Sequence, residues 1–334
     1  MNRRKFVLVS TVLMFAVAGL VAGLTMYTSF VAKADIQSLM SAVQFFPKDT
    51  QAIIGINVKA FLGSPFYAKI EAEHGDRIGS GLAEFIQKTG VDPRTDLDYV
   101  IAGGRSLGGG KGKGAMIAVG RFNETTIVNF IKTKSVPIEV QYQGATVYMI
   151  PEQSGSSLEK GIAFLNSGEM ALGDLESLQA ILDVRAGGAS VTSDSVLTPM
   201  LQELNPNDMF WFAGDASSIM ANSPVNTPFG DKISAIQSIY GTLNLTQVVS
   251  GQITAIARDD ESATKLADVA RGLLALGSLA TDQKPELAPL KDIMSGVTIV
   301  QEKNRIQLSV NFSADLLDQL RQLKSEYRKA VVAK

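Results

Sequence analysis

The sequence predicts an α+β fold: antiparallel sheets with helices packed on one side, in two diverged copies of one unit, behind a single transmembrane helix. Three observations predict it. Residues 6–32 contain no charged side chain, and three short motifs recur in the same order along the chain. Pairs of alternating apolar and polar segments flank tight polar turns, the pattern of antiparallel hairpins with one wet face.

The uncharged stretch is 27 residues long, and roughly 20 suffice to cross the hydrocarbon layer as a helix. A secretory signal has a shorter apolar region, about 7–15 residues. Ala32-Lys33-Ala34 also reads as a small-x-small cleavage site, so a processed start at Asp35 is the alternative. Arg3, Arg4 and Lys5 precede the stretch and determine its topology. Basic residues stay on the cytoplasmic side, which places everything after Ala32 outside the cytoplasm. The expected location is the bacterial inner membrane, with the main domain periplasmic. Ala18, Gly19, Ala22 and Gly23 form a small-residue face, where a second helix backbone can approach.

The repeat appears on shifting the chain by 159 residues. Pro47-Lys-Asp49 then meets Pro206-Asn-Asp208, Gly55 meets Gly214, and Ser64-Pro65 meets Ser223-Pro224. A second match aligns residues 97–103 with 245–251, and a third aligns 118–124 with 255–261. The expected organisation is an anchor at 1–34, a linker at 35–46, a first repeat at 47–206 and a second at 207–334.

The elements follow in order. Residues 51–58 and 209–214 are apolar runs after a Pro/Asp turn and read as buried strands. Each leads to Ser-Pro, where proline disfavours helix in the preceding residue. Residues 76–89 place Ile78, Leu82, Phe85 and Ile86 on one helical face, and Gly90 closes it. Residues 115–122 and 252–258 read as strands, followed by helices capped by Asn123 and by Asp259 or Asp260. Hairpins are expected at 138–150, 162–172 and 297–312. In the last, Ile306, Leu308, Val310 and Phe312 alternate with Gln307, Ser309 and Asn311. Closing helices start at Asp174 and after Ser313.

Residues 89–100, the Pro47-x-Asp-Thr opening, and the segment from Gly161 through Gly168 to Leu172-Gly-Asp174 carry a resemblance. They resemble a group of uncharacterised bacterial, membrane-anchored extracytoplasmic proteins. The likeness covers most of 45–210 and implies location and architecture, with no activity.

Composition removes several chemistries. The chain has no cysteine, which excludes disulfides, thiol catalysis, iron–sulfur clusters, zinc ribbons and a lipid-modified cysteine. A single histidine, His74, cannot build a multi-histidine metal site. The net charge of -2 argues against nucleic acid as a partner. Residues 35–334 alone carry 27 basic and 33 acidic groups. No cofactor is expected.

The glycine-rich stretch at 103–114 holds Lys111 and Lys113, yet each lysine is followed by glycine, so the phosphate-loop spacing fails. A flexible turn is the simpler reading, and Gly108, Gly109, Gly110, Lys111 and Lys113 are its candidate partner-contacting tip. Gly104-Arg-Ser106-Leu-Gly108 matches the hydrolase elbow but lacks a following helix and a later histidine. Ser157 and Lys160 have Ser-x-x-Lys spacing without its companion motifs. Asp92, Asp96 and Asp98 fit capping and turns better than a calcium loop. Trp211 reads as core.

The function expected is contact: an accessory or scaffolding subunit of an envelope or membrane complex. Its partners are the bilayer through residues 6–32, and other membrane subunits or itself. Two alternatives stand beside it, a site for a small apolar or envelope-derived ligand at the junction of the halves, and an enzyme using carboxylates and lysines.

Overall fold

The computed structural model describes residues 36–106, 113–151, 160–193, 195–205, 207–218, 234–282 and 287–320. The expected anchor, with Arg3, Arg4, Lys5, Ala18, Gly19, Ala22 and Gly23, lies outside them. Among the described residues no helix is long and apolar enough to cross a membrane.

The fold is α+β. In chain order its elements are α1 (Ile36–Val43), β1 (Ala52–Asn57), α2 (Val58–Leu62), α3 (Pro65–Thr89), α4 (Pro93–Asp96), β2 (Leu97–Ser106) and β3 (Lys113–Gly120). Then come α5 (Glu124–Lys134), β4 (Ile138–Tyr142), β5 (Ala145–Ile150), β6 (Lys160–Asn166), β7 (Glu169–Gly173), α6 (Leu175–Arg185) and α7 (Thr198–Glu203). The rest are β8 (Phe210–Asp215), β9 (Ile236–Leu245), β10 (Val248–Ala257), α8 (Asp260–Asp282), α9 (Ala288–Ser295), β11 (Val297–Glu302) and β12 (Arg305–Ser313). A further helical segment occupies 315–320.

All twelve strands belong to one sheet, in the order β11-β12-β10-β9-β8-β1-β2-β3-β7-β6-β5-β4. Every pairing is antiparallel. The central pair joins β1 to β8, with Gly55 opposite Trp211 and Ile56 opposite Phe210. Outward from it the order is β2, β3, β7, β6, β5, β4 on one side and β9, β10, β12, β11 on the other.

Helices cover both faces of this sheet, which corrects the expectation of one. On the front face, Ile53, Tyr99, Ile101, Ile117 and Ala163 pack under Ala42 and Val43 of α1, Leu178, Ile181 and Leu182 of α6, and Met200 and Leu201 of α7. On the back face, Ile162 and Phe164 pack under Ile127 and Val128 of α5. The cause is legible in β6. Its interior run Gly-Ile-Ala-Phe-Leu is apolar at every position and buried throughout. A strand without alternation is one buried on both sides.

Farther along the back face, α9 contributes Ile293 to a cluster with Phe210, Leu243, Leu245, Val249 and Phe312, joined by Leu316, Leu317 and Leu320. Ala263 and Ala267 of α8 pack with Ala257 and Ile306. Small residues there let the 23-residue helix lie close to the strands.

Local chemistry sets the boundaries. The α3 helix begins eleven residues before its expected start. Ser64, extended at φ -84 and ψ 146, caps it by accepting from the Tyr67 N–H, and Pro65 occupies the first turn. Proline there lacks only an N–H that no helix would use. Gly90 ends α3 in the left-handed region at φ 71, as its position suggested. Asp174 caps α6, its Oδ1 accepting from the Ser177 N–H at 2.9 Å, and Asn123 caps α5. Within the span expected to link anchor and first repeat, α1 docks into the core, followed by the buried Phe46.

The expected repeat matches divide. The first aligns β1 with β8, and the third aligns the β3–α5 junction with the β10–α8 junction. The second sets residues of β2 against the turn between β9 and β10, so its register is not structural. β9 itself escaped the sequence reading because Gly241 interrupts its apolar pattern. A Cβ there would lie 2.2 Å from the Gln252 carbonyl oxygen, so the neighbouring strand requires glycine.

At the central pair, a Cβ on Gly55 would lie 2.0 Å from Cε2 of the Trp211 indole. Gly55→Ala is therefore expected to lower stability by about 1–3 kcal/mol, read as a fall in the thermal midpoint. The same change is expected to cost less in a Trp211→Leu background, which vacates the collision.

Candidate functional site: an open polar sheet face

The front face changes character across β8. Over the first half it is sealed by α1, α6 and α7. Over β9, β10, β12 and β11 the described helices reach it at one end, where α7 meets Tyr240 and Arg305. The strand registers bring its side chains into cross-strand rows. One row runs Thr298, Ser309, Gln252, Thr242. The next runs Val300, Gln307, Thr254, Tyr240, and a third runs Asn311, Ser250, Asn244. Apart from Val300 and Tyr240 these are hydroxyls and amides, and none is charged. Thr298, Gln252 and Asn311 are exposed, whereas Thr254 is buried.

Two of these residues are committed locally. Asn244 accepts from the Met209 N–H at 2.8 Å and donates to Asp208 at 2.7 Å, fixing the turn into β8. Tyr240 donates to Glu203 Oε2 at 2.5 Å. Arg305 grips the same carboxylate with two guanidinium nitrogens, Nη1 at 3.0 Å from Oε2 and Nη2 on Oε1. This triad ties the end of α7 to the rim of the open face. The arginine's hydrogen bonds, then the tyrosine's, hold the Glu203 carboxyl below the usual range. Glu203 in turn raises the Arg305 guanidinium. Tyr240 is raised first by burial and then by Glu203.

The sequence-nominated loop sits elsewhere, at the β2–β3 hairpin. Gly108, Gly109, Gly110 and Lys111 lie outside the described residues. Lys113 is described and pairs with Glu176 in the first turn of α6. Arg105 stands 3.4 Å from Asp49 and 4.0 Å from Glu176, so the base of the hairpin is a local ion-pair network.

The aspartates near Pro93 serve structure. Asp92 caps α4 by accepting from the Arg94 N–H at 2.9 Å. Asp96 accepts from the Asp92 N–H at 2.8 Å and from Arg121 Nη2 at 2.7 Å. Asp98 pairs with Lys59. Trp211 is 3% exposed and belongs to the core, as its surroundings in sequence suggested. Ser157 lies outside the described residues, as does the side chain of His74.

Two other concave or apolar features exist. A cleft of about 460 Å3 lies at the ends of β6 and α6, lined among others by Phe122, Asn123, Glu124, Asn166 and Arg185. On the back face at the junction of the halves, Ile54 is 51% exposed. It is paired across the strands with Phe212 and Ala102, both half-buried.

No protein-family model and no curated protein matches this chain. Among solved structures it is similar to two crystal forms of TP0453. Form I gives a TM-score of 0.46 at 9% identity, covering 84% of this chain and 97% of that one. Form IV gives 0.48 at 8% identity, covering 84% and 95%. Likeness at this level carries no functional argument.

The open face could be found in the sequence only in part. The alternation in β12 already separates Gln307, Ser309 and Asn311 from the apolar side. The rows themselves depend on β9 and on strand order, which no local pattern encodes.

The rim triad has a pH signature. A carboxyl held low when folded contributes stability above its unfolded pKa, about 4.3 for glutamate, and loses it as pH falls further. The Glu203 and Arg305 side chains are 41% and 45% exposed, so solvent screens the pair. Its contribution is expected to be about 1 kcal/mol or less. Glu203→Gln should lower the thermal midpoint slightly at pH 7, and the difference from wild type should shrink as the pH falls below about 4.3.

Proposed function

We propose that this chain is a bilayer-anchored contact protein of the bacterial inner membrane, its folded part outside the cytoplasm. Residues 6–32 hold it in the lipid, and Arg3, Arg4 and Lys5 keep its N-terminus cytoplasmic. The uncharged stretch ends at Ala32, and the first described helix, α1, begins at Ile36. In this reading Ala18, Gly19, Ala22 and Gly23 dock the anchor on a second membrane helix. The resemblance of residues 45–210 to membrane-anchored extracytoplasmic proteins supports the same location.

We further propose that the sheet is two fused copies of one unit. Strands β1-β2-β3 and β8-β9-β10 are laid out alike on either side of the central pair, and each side then takes a helix and a returning hairpin. The β4–β5 hairpin is an addition to the first copy.

The observation that carries the contact role is the polar front face of β9, β10, β12 and β11, which holds Arg305 and Glu302 at one end. Exposed strand edges at β4 and β11 add to it. Val136 and Ile138 are 85% and 52% exposed beside one edge, and Val300 is 53% exposed on the other. Exposed Ile54 at the junction favours a second reading, in which a small apolar ligand lies on the back face.

The cysteine-free sequence makes topology directly testable. A Val136→Cys variant in intact spheroplasts is expected to react with a membrane-impermeant maleimide, and an Asn2→Cys variant only after lysis. Protection of Val136→Cys until lysis would refute the orientation. Purification in mild detergent should recover a defined assembly; a lone monomer with bound lipid would move weight to the apolar-ligand reading.

A further inference from the structure

The two outermost strands of the sheet are not alike. β4 is guarded: it starts just after Pro137, and its Glu139 pairs with Lys132 at 2.9 Å. Proline and charge are the usual means of blunting an edge. β11 holds neither proline nor lysine, and Val297, Thr298, Ile299 and Val300 are all β-branched. The Asn311 N–H donates to the Gly296 carbonyl at 2.9 Å. Antiparallel bonding alternates along a strand. The even-numbered residues of β11 therefore bond to β12, and the backbone N–H and C=O of Val297, Ile299 and Gln301 face outward.

A second feature lies beside this edge. On the back face, Ala263 and Ala267 of α8 pack with Ile306 and Ile299. The inner flank of α8 meets α9, since a Cβ on Gly277 would lie 2.7 Å from Met294 Sδ. α9 in turn packs toward the centre of the sheet, where Ile293 joins Phe210 and Leu243. At about 100° per residue, Leu276 and Leu279 point away from both α9 and the strands. They are 53% and 61% exposed, and Gly272 and Ala275 on the same side are exposed with them. The helix thus presents an apolar stripe on the flank where the sheet ends.

We propose that β11 pairs with β11 of a second copy of this chain, about a two-fold axis normal to the sheet. The inference rests on the contact role proposed for the chain and names the partner. One antiparallel register uses every outward group: Ile299 opposite its own counterpart, and Val297 opposite Gln301. Its three pairs make six backbone hydrogen bonds. Thr298 then faces Val300 on the front, and Glu302 faces Gly296, so no like charges meet. The axis keeps back with back, which brings the two α8 helices together. A helix seated between β11 and β12 lies about 5 Å from the axis, so its counterpart lies about 10 Å away, the spacing of packed helices. An extended peptide would satisfy the edge and leave the leucines bare; lipid would cover the leucines and leave the edge unpaired. A second copy does both, and the contact closes on itself.

Light scattering on the full-length chain in mild detergent is expected to give a dimer. Ile299→Pro removes an outward N–H and no bond to β12, and Leu276→Asp/Leu279→Asp charges the stripe. Each should weaken the dimer roughly tenfold or more, with circular dichroism establishing that the variant is folded. Thr298→Cys/Val300→Cys introduces the only cysteines, in cross-strand pairs whose Cα atoms would lie about 4.5 Å apart, within reach of a disulfide. Oxidation should give a covalent dimer, whereas Val136→Cys beside the guarded edge should stay monomeric on a denaturing gel. A monomer in light scattering overturns the proposal. So does a dimer that a folded variant leaves intact, which assigns association to another surface, the anchor included. A variant-sensitive dimer without the disulfide overturns the strand pairing. None of these outcomes depends on membrane orientation, so maleimide labelling can fail or succeed independently.

Discussion

The architecture depends on one strand pairing, that of β1 with β8. Without it the molecule would be two smaller sheets, each with an additional raw edge, and exposed edges invite association. The pairing is closed at both ends by backbone bonds. The Asn57 N–H donates to Met209 at 2.9 Å, and the Asp215 N–H donates to Gln51 at 2.7 Å. On the front face the indole of Trp211 lies over Gly55. On the back face Phe61 meets Phe210 edge to face, ring centroids 5.5 Å apart. The joint is thus sealed by backbone, by a large ring over a missing side chain, and by an aromatic contact.

Consequences spread outward from this joint. Beyond β1 both faces of the sheet are needed for burial, and β6 carries apolar residues at consecutive positions. Beyond β8 the described helices pack mainly on the back face, the front being buried at Tyr240 and Thr254, and β12 alternates. The difference follows from where the closing helices go. Among the described residues it leaves Thr298, Gln252 and Asn311 exposed on the front of the second half. Glu203 at the end of α7 braces that surface from the first half through Tyr240 and Arg305, so the two halves are coupled on the front face as well as through the strands.

Much of this was legible from residues alone, and the limits have physical causes. Caps and turns were read well: Asp174, Asn123 and Gly90 act at the positions their chemistry suits, because capping is local. The hairpins at 138–150 and 297–312 follow from alternation and from turn residues; Gln143, Gly144 and Lys303 adopt positive φ. The start of α3 is not legible, because Ser-Pro reads equally as loop or as cap plus first turn. One-sided helices were expected because β12 alternates, whereas β6 does not. β9 is hidden in the sequence because its glycine answers to a neighbouring strand. The candidate face shared that fate, since its rows are assembled by register between strands distant in sequence. The loop at Gly108–Lys113 drew attention through composition, yet Lys113 is occupied by Glu176.

The central claim is that the β1–β8 joint makes the two halves one cooperative body. Trp211 is the sole tryptophan and lies in that joint, so its fluorescence reports the pairing directly. Denaturant unfolding followed by this fluorescence and by far-ultraviolet ellipticity should give superimposable single transitions. A fluorescence change completed while much of the ellipticity persists would contradict the claim, because the halves would then outlive their joint.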